Sequence, residues 1–197
     1  MFKGFVRFGF AAAVLAGAMG VEVQAQELEI TLENGSERER ATERQLRRIL
    51  TEYDVAGWIY TTRIHIKQRQ IPHSHPILTL STASMGDDHG LLTMLVHEQF
   101  HWLEEDRSEA RDAAMAEFGT MFPDAPSGGP QGARDESSTY LHLVVCDLEY
   151  QAMTLLVGRE RAREIMSGQT HYIWIYDQVL NNPAIRQVNE RHGFVVD

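Results

Sequence analysis

The sequence predicts an α+β fold: a small N-terminal β-sheet packed on a histidine-bearing helix, followed by a mostly helical C-terminal half. Three observations carry this. Apolar residues alternate at period two near the start of the mature chain, and two β-branched, aromatic-rich runs follow them. From about His89 onward the apolar spacing is helical almost throughout. Strands first and helices after is the order of an α+β domain.

The first 25 residues read as an address. Lys3 and Arg7 form a positive n-region, Phe8 to Met19 an apolar stretch, and Val23-Gln24-Ala25 a signal-peptidase site. Twelve apolar residues are too few to span a bilayer, which takes about 20. An exported protein is therefore expected, periplasmic or secreted, with residues 26–197 as one domain and no stable membrane insertion after cleavage.

Leu28, Ile30 and Leu32 alternate with Glu27, Glu29, Thr31 and Glu33, a half-buried strand that Asn34-Gly35 ends. Ser36 with Glu39 forms a capping box and opens a charged helix to about Tyr53, its inner face Leu46, Ile49 and Leu50. Trp58 to Ile66 and Ile77 to Thr82 read as strands that could pair as a hairpin, although the connection is longer than the tightest turns allow. A helix is expected from about His89 to Glu105 and another from Ser108 to Met121. Pro123 to Gly132 is a mobile loop by composition. Long and short helices follow, Asp135 to Val157 and about Arg159 to Met166. Tyr172 to Leu180 has helical spacing with a strand as the alternative, and Pro183 starts a last helix.

Composition narrows the function. The formal charge is −10, and losing Lys3, Arg7 and Glu22 makes it −11. Such a surface repels phosphate backbones, so nucleic acid is not expected as a partner. Cys146 is the only cysteine, which excludes an internal disulfide. Its apolar neighbours Leu143, Val144 and Val145 mark it as a buried core residue rather than a nucleophile.

His97-Glu98-Gln99-Phe100-His101 decides the chemistry. Histidines at i and i+4 lie about 40° apart around a helix and aim both imidazoles at one point, the geometry of a zinc site. Glu98, on the flank of that face, is placed to act as a base on a polarised solvent molecule. Leu91, Leu92, Leu95, Val96, Phe100, Trp102 and Leu103 cover the other side of the helix, which would be buried. The plain alternative is a buried helix with two satisfied histidines. Glu105 is one turn beyond His101 and is a candidate partner for an imidazole N–H, against a solvated acidic turn made of Glu104, Glu105 and Asp106.

A catalytic zinc needs a third protein ligand. Glu149 is the leading candidate, because a carboxylate inside so apolar a segment is costly unless paired or metal-bound. His142, seven residues earlier and about 20° away on the same face, is the second. Asp147 is the third candidate, and an ion pair of Glu149 with Arg159 or Arg163 is the bland reading.

With these residues the chain resembles the gluzincin branch of zinc metallopeptidases over roughly residues 58 to 157. His97, Glu98 and His101 match its metal helix, and Glu149 takes the place of its later glutamate. Leu148 and Met153 stand where the branch often has Asn and Asp. The metzincin pattern is excluded, since Glu104 and Arg107 occupy its Gly and third-His positions. The resemblance implies a zincin-like domain binding Zn2+ through His97, His101 and Glu149 and hydrolysing a peptide or protein substrate. It also implies an edge strand, here Ile77 to Thr82, that aligns the extended substrate.

For the oxyanion, His171 is the first candidate donor and His142 the second. His73 and His75 flank Ser74 in a Pro-bounded loop and suggest an accessory metal or substrate site, against plain surface residues. His65, His89 and His192 join no constellation. A non-catalytic exported metal-binding protein is the competing class. A di-iron bundle would need a second Glu-x-x-His motif, and a serine or cysteine hydrolase would need a nucleophile elbow.

Overall fold

The computed structural model describes residues 28–197, so the expected export signal lies outside the described residues. The chain is α+β, with three strands and seven α-helices among the described residues: β1 (Glu29–Leu32), α1 (Glu37–Glu52), β2 (Arg63–Lys67), β3 (Leu78–Ser81), α2 (Asp88–Asp106), α3 (Ser108–Met121), α4 (Glu136–Val157), α5 (Arg159–Ser167), α6 (Ile173–Asn181) and α7 (Pro183–Arg191).

Ser36 caps α1 as expected: its hydroxyl accepts from the Glu39 N–H, and the Glu39 carboxylate reaches back to the Ser36 N–H at 2.9 Å. Leu46 and Ile49 are fully buried and face the sheet side of the core. Tyr172 to Leu180, left open between helix and strand, is the helix α6.

The sheet departs from expectation. All three strands are parallel in the order β1-β2-β3, so β2 and β3 are not a hairpin. The connection explains it. After β2 the chain doubles back along the far side of β3, where His73 pairs antiparallel with Thr79 through two backbone hydrogen bonds of 3.1 and 2.7 Å. It then turns and enters β3 in the direction of β2. The antiparallel pair that sequence places between β2 and β3 lies instead between this return segment and β3.

That return also covers the strand expected to align substrate. Thr79 has both outward backbone groups on His73, and the Ser81 N–H points to the Met94 sulfur at 3.4 Å. The whole of β3 is buried.

Only the last part of the 58–66 run is strand. Residues Ala56–Trp58 form a 3-10 turn, and the Tyr60 and Thr61 N–H groups both donate to Gln99 Oε1 at 2.9 Å. Gln99 Nε2 donates in turn to the Thr61 carbonyl at 2.8 Å. One side chain inside the His97–His101 motif thereby docks α2 on the approach to the sheet.

The long apolar helix α4 is the hub of the second half, packing against α2, α3, α5, α6 and α7. Buried Asp147 meets Arg186 of α7, with Arg186 Nε 3.0 Å from both carboxylate oxygens; Asn189 and Gln151 add further hydrogen bonds. Burial pushes the Asp147 carboxyl upward and Arg186 opposes it. Asp147 is thus a structural ion pair on the side of α4 turned to α7. The 123–132 loop is more tightly held than its composition suggests. Thr139 Oγ1 donates to the Pro126 carbonyl at 2.8 Å, and the Ile173 and Trp174 N–H groups donate to Pro130 and Gln131. Gly132 is required there, because a Cβ would come within 2.0 Å of the Pro126 oxygen.

Candidate metal centre

α2 and α4 cross so that the histidine face of one meets the middle of the other. His97, His101 and His142 each bring one donor atom to within 4.8 Å of the other two. Their ring centroids form a near-equilateral triangle, 5.1, 5.5 and 5.1 Å on a side.

In each ring Nδ1 has an acceptor. His97 Nδ1 donates to Glu149 Oε2 at 2.9 Å, and His142 Nδ1 to the Ser138 carbonyl at 2.6 Å. His101 Nδ1 has Glu104 Oε1 at 3.4 Å, and the other Glu104 oxygen is held by Arg111 at 3.0 Å. None of these acceptors can donate, so Nδ1 carries the proton in all three rings. The Nε2 lone pairs remain for a cation, with outer partners fixing each tautomer as metal-bound histidines require.

The electrostatics differ from ring to ring. Burial and the neighbouring His97 and His101 push His142 well below its ordinary pKa, which keeps it neutral and able to ligate. Burial works most strongly against a charged His97, but the Glu149 carboxylate and the Cys146 sulfur together lift that ring well above its ordinary value. The negative field that would hold a proton on His97 also favours a divalent cation at the same place.

The expected residues are partly reassigned. His97 and His101 converge as their spacing predicts. The third donor at their meeting point is His142; Glu149 forms no such set with His101 among the described residues and sits behind His97. Its second hydrogen bond comes from the Tyr176 hydroxyl at 2.9 Å. Glu98 is buried on the same helix, between the two histidines in sequence. His171 is exposed, with Nδ1 3.2 Å from its neighbour Thr170, and lies outside the cluster. Tyr172 is there instead. Its ring lies 4.4 Å from His142 and 6.2 Å from His97, centroid to centroid. A left-handed backbone (φ 57°) at the start of α6 sends residue 172 inward. Burial raises the Tyr172 phenol above its ordinary pKa, so it stays a donor.

Two further residues were not anticipated in their roles. Glu104, read as part of a solvated turn, is buried and holds His101. Glu105, the residue expected near an imidazole of the centre, pairs with His75 at 2.5 Å. His75 stacks on Trp102 at 4.2 Å, and the Trp102 N–H donates to the Ser74 carbonyl at 3.1 Å, so this loop is fastened to α2. His73 has Nδ1 3.0 Å from the Ile71 carbonyl and joins no metal-ligating group. No family model matches the chain, and neither a curated protein nor a solved structure matches it.

Proposed function

We propose that the chain is a zinc-dependent hydrolase of zincin-like type, with peptide bonds as the substrate class. His97, His101 and His142 hold the ion, and Glu98 is the general base. The observation that supports this most is the set of three imidazoles, one donor atom of each within 4.8 Å of the others, with an acceptor beside every Nδ1. That donor set fits zinc in a catalytic rather than a structural setting, with three protein nitrogens and one position left open. A zinc ion there would supply Lewis acidity toward a substrate carbonyl and bring the pKa of water toward about 7.

The chain's own residues account for the rest. Glu98 accepts a proton from attacking water and passes it to the leaving amine. Tyr172, whose ring lies beside His142, takes the part first considered for His171 and donates its phenolic proton to the oxygen that gains charge as the carbonyl becomes tetrahedral. Glu149, Glu104 and the Ser138 carbonyl hold the three rings in register, so little reorganisation is needed when substrate arrives. An exported site of action is proposed with this activity, on the pattern of residues 1–25.

The test is metal analysis of the purified chain beside hydrolysis of mixed peptide libraries. About one zinc per chain, with cleavage abolished by Glu98→Gln, supports the reading. Stoichiometric zinc without cleavage of any library would leave a metal-binding protein that is not an enzyme.

A further inference from the structure

Behind the outer triangle lies a second set of donors that shares His97 with it and adds two residues that the proposed reaction does not use as ligands. His97, Cys146 and Glu149 place one donor atom each within 4.8 Å of the others, and all three are buried. Cys146 and Glu149 are one turn apart on α4, and Glu149 meets His97 at Nδ1. Glu149 is 0% exposed, and its Oε1 has no hydrogen-bond partner. A buried carboxylate oxygen left unpaired is costly in a protein interior. The Tyr176 hydroxyl closes the group through Glu149 Oε2 at 2.9 Å.

We propose that this inner set is a second metal site, for a thiophilic divalent cation, and that its occupation excludes zinc from the outer one. The inference rests on the zinc reading only in its second half. Thiolate selects a soft cation over the harder ions that oxygen ligands prefer. On binding, the Cys146 S–H proton leaves to solvent and the sulfur, the Glu149 carboxylate and His97 Nδ1 bond the cation. The ring proton moves from Nδ1 to Nε2, so the imidazole stays neutral. One thiolate and one carboxylate then balance the two positive charges, and the buried cluster ends without net charge.

Exclusion follows from the same ring. With Nε2 protonated, His97 has no lone pair to offer the outer set, which is left with two nitrogens. One imidazole thus belongs to one site or the other according to its tautomer.

The experiment is a titration of the metal-free chain with cadmium chloride, read by thiolate-to-cadmium charge-transfer absorption. A band that saturates near one equivalent and persists in His142→Ala is expected, as is its loss in Cys146→Ser. Cadmium-loaded chain should take up zinc at least about tenfold more weakly than metal-free chain, and Cys146→Ser should lose that antagonism. Cadmium binding to the wild-type chain without the band overturns the proposal, as does additive binding of both metals. Should Cys146→Ser fail to fold, cadmium NMR of the wild-type chain decides: a thiolate-range resonance supports the site, and a nitrogen–oxygen-range resonance overturns it. The zinc reading fails separately, if the double variant Cys146→Ser/His142→Ala holds zinc as tightly as Cys146→Ser alone.

Discussion

His97 donates its Nδ1 proton to Glu149 Oε2 at 2.9 Å, across the interface of the two helices that build the centre. The bond engages Nδ1 and leaves the ring's other nitrogen for the set with His101 and His142. Glu149→Gln keeps an acceptor but removes the charge, and should weaken zinc binding about 10- to 100-fold. His142→Ala, made together with Cys146→Ser so that the inner set cannot take the ion, should abolish stoichiometric zinc altogether. Competition with a chromophoric chelator measures both; the reverse order would make Glu149 the third ligand.

Glu98→Gln should retain zinc at wild-type stoichiometry while the rate falls by at least about 10²-fold, the usual weight of a positioned base. Parallel metal analysis and turnover assays check this, and full activity in the variant removes Glu98 from the mechanism.

Gln99 satisfies two backbone N–H groups and one carbonyl near the sheet. Gln99→Leu leaves them unpaired beside the core and should cost about 1–3 kcal/mol in denaturant unfolding. Zinc stoichiometry should survive at low denaturant, since Gln99 offers nothing to the metal.

The Asp147–Arg186 pair holds α7 to the hub helix, with Asp147 almost wholly buried and Arg186 about a third exposed. Arg186→Ala should destabilise the chain by about 3 kcal/mol, the lower end for a broken buried pair because water reaches Arg186. Replacing both residues together with apolar ones of similar volume should restore most of the loss.

Asp135 caps α4, accepting from the Ser138 N–H at 2.7 Å. That bond, with Arg134 beside it, lowers the carboxyl to about 2. A depressed carboxyl stabilises the fold fully above its ordinary value, and the contribution fades as pH falls toward about 2. The melting-temperature difference between wild type and Asp135→Ala should therefore be constant near neutrality and shrink through that acid range.

The elements whose information is local were legible. The Ser36–Glu39 box, the α3 limits and the His97–His101 spacing each depend on neighbours within a turn or two, which sequence displays directly. Strand direction is not local. The 58–66 and 77–82 runs look alike whether parallel or antiparallel, and only the path between them, doubling back past Thr79, decides it. Position along a helix is equally hidden. His142 and Glu149 share a face of α4, but seven residues separate them by about 10 Å of rise. Angular reasoning ranked the two without knowing where α2 crosses. Tyr172 was missed for a related reason: His171 had the more suggestive side chain, and the left-handed turn that brings residue 172 inward leaves no periodic trace.

The return segment beside β3 has a consequence for how the molecule meets other chains. An open strand edge is an invitation to any extended polypeptide, whether a neighbour in a concentrated solution or a cleavable peptide. With Thr79 spent on His73 and Ser81 turned to Met94, this margin offers no rungs to either visitor. At this edge of the sheet, though not at β1 on the other side, resistance to edge-to-edge association and dependence on side-chain fit in selecting peptides would then share one origin: ten residues of backtracking chain.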